Sequence, residues 1–337
     1  MEIYNDRGLS GIVNLGNTCY INSVIQSLSH TTELTDYFLS NSYKKALNNT
    51  AESKFTHEWV RLLNALWEEN CTVSPNSFLK ILIILAKKNN INLNFSNFKQ
   101  NDSQEFLVFF LDMLHKSLKQ NIEVSIIGNP KNNKDKLKIK ALESWKSYYE
   151  KDYSKIIKLF YGMSLTEIRD INTDNVLSIT FQPNCFYMLP IPKNMKTINI
   201  YDCFKLYLND EILDDDNKWY DEKSKEYKTV KKINRIWNLS NILIICLNRF
   251  DNTNTKITSQ VNFPDILDMT DLNYSGERYI YSLYSVCNHY GTSNGGHYTT
   301  YSKNNNRWYD FNDSKVIEIN SKNIVTPNVY CMFYRKI

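Results

Sequence analysis

The sequence predicts an α+β fold in which a helical lobe precedes a mainly antiparallel β region. Three observations carry this. Apolar residues recur at helical spacing through roughly the first 120 positions. From about residue 176 they gather instead into short strand-like runs. Regular helices do not alternate with those runs, which argues against a doubly wound βαβ arrangement. The 337 residues are 42% hydrophobic and 13% aromatic, enough to fill a sizeable core and to exclude a disordered, collagen-like or coiled-coil chain. Forty Lys and Arg against 36 Asp and Glu leave a net charge of +4, which calls for no nucleic acid.

In the first helix Ile21, Val24, Ile25 and Leu28 share a face, and Trp59, Leu62, Leu63 and Leu66 repeat that spacing in another. Ser74-Pro75 reads as a helix start, Ser at the cap and Pro in the first turn, followed by Phe78, Leu82 and Leu85. Phe106, Phe109, Phe110 and Met113 mark a helix from about Asp102 to Gln120. Gly128 to Lys140 is polar, basic and poor in apolar residues, and is expected to be a solvated loop; a helix is expected from Leu142 to Phe160. Strands are expected at Val176–Phe181, Ile242–Phe250, Tyr279–His289, His297–Tyr301, Arg307–Phe311, Lys315–Ile319 and Tyr330–Tyr334, with a protruding hairpin or loop at Asp214–Lys232.

The seven cysteines are widely spaced and include no CxxC pair, so no disulfide scaffold is expected and the default setting is reducing and intracellular, cytoplasmic or nuclear. The start of the chain lacks the basic and apolar segments of a signal peptide. The longest apolar runs, Ile81–Ala86 and Ile242–Leu247, are too short to cross a membrane, so no membrane partner is expected.

One cysteine stands apart. Cys19 follows Gly16-Asn17-Thr18 and opens the first amphipathic helix, where unpaired backbone N–H groups and the helix dipole favour a thiolate. A nucleophile needs a base, and a base needs an orienting group. Gly295-Gly296-His297 opens one strand, and Arg307-Trp308-Tyr309-Asp310-Phe311 forms the next. A two-residue turn at Asn304-Asn305 would pair 303 with 306 and set His297 opposite Asn312, with Asp310 and Asp313 nearby. Asn14, five residues before Cys19, lies in a Gly-containing loop from which its amide can reach an oxyanion beside the sulfur. These residues point to a Cys-His-Asn hydrolase.

Gly8–Ser23, with Asn14-Leu15-Gly16-Asn17-Thr18-Cys19-Tyr20-Ile21-Asn22-Ser23 at its heart, resembles the cysteine box of the ubiquitin-specific proteases. Gln100-Asn101-Asp102-Ser103-Gln104-Glu105-Phe106 is similar to that family's acidic helix motif. Ser285–Gly291 and Gly295-Gly296-His297-Tyr298, followed by Trp308–Asp313, resemble its histidine box. Leu247-Asn248-Arg249-Phe250 and Tyr330–Tyr334 also match, so the resemblance runs from about Gly8 to the C-terminus.

The resemblance implies a papain-like cysteine peptidase filling 1–337 as one catalytic domain, with a helical thumb at about 8–160 and an antiparallel β palm and fingers at about 161–337. It implies Cys19 as nucleophile, His297 as base and then acid, Asn312 as third member with Asp313 assisting, and Asn14 on the oxyanion. Asp102 and Glu105, on one helical face, would receive the basic tail of ubiquitin, and Gly295 and Gly296 would line a narrow tunnel. His289 is expected to be structural. The implied partners are ubiquitin and ubiquitinated proteins, met by a monomer. Many members of the family carry two CxxC pairs holding zinc at the fingertips. The corresponding regions here, Ser164–Asp174 and Tyr220–Lys225, have no cysteine, so reduced, zinc-free fingers and no cofactor are expected. The alternatives are a protease for another ubiquitin-like modifier, a weakly active ubiquitin-binding module, and a peptidase acting on unfolded peptides.

Overall fold

The computed structural model describes residues 6–89, 101–193, 195–251, 253–292 and 295–337. Gln100, the first residue of the acidic motif, lies outside them. Eight α-helices are described: α1 (Cys19–Ser29), α2 (Thr32–Leu39), α3 (Ser53–Glu68), α4 (Asn76–Lys88), α5 (Ser103–Leu118), α6 (Asn133–Tyr149), α7 (Lys155–Phe160) and α8 (Ile200–Tyr207).

Every residue of α1 is buried, because helices cover one side of it and the main sheet covers the other. Two of its polar side chains are satisfied within the lobe: Gln26 Nε2 donates to the Ser10 carbonyl at 2.8 Å and Ser27 Oγ to the Ser23 carbonyl at 3.1 Å. Around α1, α3 and α5 interlock through edge-to-face rings, Phe110 lying 4.9 Å from Trp59 and 5.0 Å from Phe55. That aromatic core fixes the ground on which Cys19 stands.

Twelve strands matter for the site: β1 (Gly162–Asp170), β2 (Val176–Asn184), β3 (Tyr187–Pro190), β4 (Glu211–Leu213), β5 (Val230–Asn238), β6 (Ile242–Asn248), β7 (Ile266–Asp268), β8 (Ile280–Thr292), β9 (Gly295–Asn304), β10 (Arg307–Asn312), β11 (Lys315–Ile319) and β12 (Val329–Lys336). The palm sheet runs in the order β11-β10-β9-β8-β12-β6-β3, with β7 added to β8. Its pairings are antiparallel except β6 with β3, which is parallel. One face carries Tyr298, Cys287 and Phe333 against the helical lobe; the other carries Val286, Met332 and Tyr334 in a second core. The fingers form a separate antiparallel sheet, β2-β1-β5-β4.

The structure corrects four expectations. Most of the expected loop at 128–140 belongs to α6, whose N-terminus is capped where Asn132 Oδ1 accepts from the Asp135 N–H at 2.9 Å. Its lysines mask a narrow apolar stripe, Leu137, Ala141 and Trp145, that packs on Met163, Phe181 and Trp237 of the fingers. The expected helix at 142–160 is two helices, because Ser154 caps α7 and breaks the run. Pro75, not Ser74, stands at the cap of α4. Cys246 and Cys331, directly opposite on β6 and β12 and both buried, form a disulfide that wide sequence spacing did not suggest.

Candidate active site

Cys19 is the first residue of α1, and no side chain caps that end of the helix. The positive end of the helix dipole is therefore left to act on the sulfur. The preceding loop doubles back through left-handed Gly16 (φ 94°) and Asn17 (φ 53°). This turn lets Asn14 Oδ1 accept from the Gly16 N–H (3.1 Å), the Thr18 N–H (3.1 Å) and the Thr18 hydroxyl (3.2 Å). The Asn14 oxygen is thereby fixed, and its Nδ2 donates to Asp313 Oδ2 at 2.9 Å. An amide nitrogen carries two hydrogens, so a second remains for a ligand.

His297 lies on the hairpin β9–β10. The expected register was off by two: Asn304 faces Arg307 and Thr300 faces Phe311, with Asn305 and Asn306 (φ 46° and 61°) forming the turn. A slip of two leaves every side chain on its original face, whereas a slip of one would have reversed them. His297 and Asn312 thus still meet, diagonally, with His297 Nε2 2.7 Å from Asn312 Oδ1. The amide oxygen only accepts, so Nε2 carries a hydrogen and Nδ1 is left for the thiol proton. A hydrogen bond with Cys19, then the bond to Asn312 and the charge of Asp313, outweigh burial and raise the His297 pKa to about 9.

Asp313 sits just past β10 in a left-handed conformation (φ 51°), and its carboxylate is 3.9 Å from His297 Nε2. Its Oδ1 accepts from Asn22 Nδ2 at 2.7 Å, and its carbonyl accepts from the Ile12 N–H at 2.8 Å. The N-terminal loop approaches so closely that a Cβ on Gly11 would strike the Ser314 backbone.

Beside the dyad lies a cleft of about 210 Å³ lined by Asn101, Asp102, Phe250, Asn254, His289, Thr292 and Tyr298. Asp102 caps α5 instead of standing on its face: its oxygens accept from the Gln104 N–H at 2.7 Å and from the Tyr330 hydroxyl at 2.5 Å. Burial pushes its carboxyl pKa up. Glu105 is exposed in the first turn of α5 and does not line the cleft. Gly295 and Gly296 open β9 beside it; a Cβ on Gly296 would collide with the Tyr290 carbonyl and His289 Nε2. His289 packs 4.6 Å from Tyr298, and burial pushes its pKa down to about 4, so it stays neutral and is no rival base.

The family model for ubiquitin carboxyl-terminal hydrolase matches residues 10–334. The chain belongs to that family. Human ubiquitin carboxyl-terminal hydrolase 2 is 33% identical over 352 residues, covering 99% of this chain and 56% of the human protein. The Drosophila melanogaster protein Usp2 is 32% identical over 344 residues, covering 98% of this chain and 35% of its own length. The chain thus spans about half the length, or less, of these relatives. Among solved structures, the SAGA Ubp8/Sgf11/Sus1/Sgf73 DUB module bound to ubiquitin aldehyde shares the fold, with a TM-score of 0.75 at 23% identity over 99% of this chain and 71% of that one.

The fingertip residues do not fit the zinc carried by many members of the family. Among the described residues no three His, Cys, Asp or Glu side chains are grouped to hold a metal ion. At 219–228 Asp221 instead closes the hairpin, accepting from the Lys223 N–H (3.0 Å), the Ser224 hydroxyl (3.0 Å) and Lys228 Nζ (2.7 Å). Sequence reasoning missed Asn22 and the cleft residues Phe250, Asn254 and Tyr298. The signal for Asn22 was its position three residues after Cys19, one helical turn along the same face.

Proposed function

We propose that residues 1–337 act as one catalytic unit, a thiol-dependent deubiquitinase that hydrolyses the peptide or isopeptide bond after the C-terminal glycine of ubiquitin. The observation that carries this reading is His297, electrostatically coupled to Cys19 and hydrogen-bonded to Asn312, in a chain of this family. The relatives' names and the ubiquitin aldehyde in a structure of the same fold supply the substrate class.

Cys19 passes its proton to His297 Nδ1, and the sulfur attacks the glycine carbonyl carbon. The oxyanion accepts from the free hydrogen of Asn14 Nδ2 and from a backbone N–H at the start of α1. As the C–N bond breaks, His297 returns the proton to the leaving lysine amine. Water then gives a proton to His297 and its oxygen to the acyl carbon; the S–C bond breaks and Cys19 recovers its proton. Asn312 holds the imidazole in this tautomer, and Asp313 stabilises the imidazolium. The neighbouring cleft takes the extended ubiquitin tail: Asp102 in its lining offers negative charge to basic side chains, Glu105 adds charge from the exposed first turn of α5, and Gly295 and Gly296 line the passage at the start of β9. A free catalytic thiol suits the cytoplasm or nucleus, and no helix among the described residues is long and apolar enough to cross a membrane.

The test is reaction with ubiquitin bearing a C-terminal electrophile, beside Cys19→Ala and a panel of other ubiquitin-like modifiers. A single adduct on ubiquitin, lost in the variant, is expected. An adduct only on another modifier, or none on any, overturns the reading.

A further inference from the structure

We infer that Asn22 is a positioning residue that locks the Asp313 carboxylate and thereby fixes both the charge state of His297 and the aim of Asn14. Asn22 is 2% exposed and lies one turn after Cys19 on α1. Its Nδ2 is 2.7 Å from Asp313 Oδ1 and also reaches the carbonyls of Ile12 and Val13 at 3.4 and 3.5 Å. One amide group therefore ties together the helix bearing the nucleophile, the loop bearing Asn14 and the turn after β10 bearing the orienting groups. The two oxygens of Asp313 are divided between two amides, Oδ1 to Asn22 and Oδ2 to Asn14. Two fixed donors on opposite oxygens define the plane of the carboxylate.

The consequences follow by distance. With its plane fixed, Asp313 holds Oδ2 3.9 Å from His297 Nε2, close enough to stabilise the imidazolium without displacing Asn312. The same oxygen anchors one hydrogen of Asn14 Nδ2, which leaves the other pointing in a single direction. The charged groups acting on His297 are Cys19 from α1, Asp313 from the turn and Asp310 from β10. Among these Asn22 is hydrogen-bonded to Asp313, so its removal acts on His297 through that carboxylate. Asn22 Oδ1 is buried without a partner, so the residue is not held in place by a bond to its oxygen. The Asn22 side chain is kept for the donor it offers.

This inference rests on the proposed roles of Cys19, His297, Asn14 and Asp313, so its test is read first without substrate. The His297 ring is titrated by NMR in the free protein, and kcat and KM for a ubiquitin conjugate are measured in parallel. Wild type is expected to titrate near 9. In Asn22→Ala the midpoint falls by about half a unit to one unit, and kcat falls about 10- to 100-fold with KM within about threefold. The swap Asn22→Asp with Asp313→Asn rebuilds the bond with donor and acceptor exchanged, and Asn14 still finds an amide oxygen at 313. It restores most of kcat lost in Asn22→Ala, while the titration stays low because the charge has moved away from the ring.

An unchanged His297 midpoint in a folded Asn22→Ala protein overturns the inference. So does a swap that restores nothing while its unfolding midpoint matches wild type. A wild-type His297 that titrates near 6.5 instead overturns the proposed dyad itself, which keeps the two failures apart.

Discussion

Around His297 the polar contacts join residues far apart in sequence: Asn14 and Asp313 are 299 positions apart, and Asn22 and Asp313 are 291 apart. At the tip of the fingers they are local, with Asp221 bonded to Lys223, Ser224 and Lys228, all within seven positions. The first set exists only when helical lobe, loop and palm are all assembled; the second needs only one hairpin. Loss of a contact in the first set misplaces reacting atoms, and small errors of placement there are costly. Loss of one in the second loosens a single exposed hairpin and leaves the contacts around His297 in place.

The largest effect that tests this contrast is at the dyad. His297→Ala removes base and acid together and is expected to lower kcat about 10⁴-fold or more. Asn14→Ala, which deletes one oxyanion donor, is expected to lower kcat about 10²- to 10³-fold. In both variants KM should stay within about threefold, read by steady-state cleavage of a ubiquitin conjugate. A large rise in KM with kcat intact would place these residues in binding and dissolve the contrast.

A middle-sized effect sharpens it through pH. The His297 pKa lies above its ordinary 6.5, near 9, because of Cys19, Asn312 and Asp313. Stabilisation of the fold by this imidazolium is therefore complete below about 6.5 and disappears as pH rises through about 9. In the proposed mechanism the same ionisation supplies the proton for the leaving amine, so kcat/KM should fall on the alkaline side near pH 9. Asn312→Ala removes the second largest support of the imidazolium, and its alkaline limb is expected at lower pH, with kcat down about 10- to 100-fold. A limb that does not move would mean that Asn312 holds the ring in place without affecting its proton.

The same contrast explains what the sequence made legible. The placement of Cys19, His297 and Asn312 was legible because motif and periodicity put them at a helix start and on one strand face. Parity protected that reading from the wrong turn, since a register error of two preserves faces. The helical lobe and the strands of the palm were legible because each buries one apolar face. The helix α6 was not, because lysines crowd its exposed side and only Leu137, Ala141 and Trp145 mark the other. Asp102 was expected on the face of α5 and stands at its cap, because spacing alone does not separate a cap from the first turn it caps. The role of Asn22 was hidden for a different reason: its partner is 291 residues away, and no local pattern encodes that distance.

The smallest expected effect lies at the fingertip, and it tests whether local bonds stand where other members of the family use a metal. Asp221 carries the turn: its carboxyl pKa is held down near 2 by Lys228, the Lys223 N–H and the Ser224 hydroxyl. The hairpin also pairs Tyr220 with Tyr227, rings 5.1 Å apart, on its exposed side. With no cysteine in the turn, a metal chelator should leave activity unchanged within error. Asp221→Ala removes three local bonds at once, so the hairpin should loosen while the dyad keeps its geometry. We expect KM for a ubiquitin conjugate to rise about two- to fivefold with kcat unaltered, because every side-chain bond of Asp221 lies within its own hairpin and its loss affects grip, not chemistry. Double substitution of Asp221 and Asn14 should then show additive losses, since the two sites share no partner. A non-additive result would mean that the fingertip reaches the catalytic loop through the sheet, and the division between local and long-range bonding would fail.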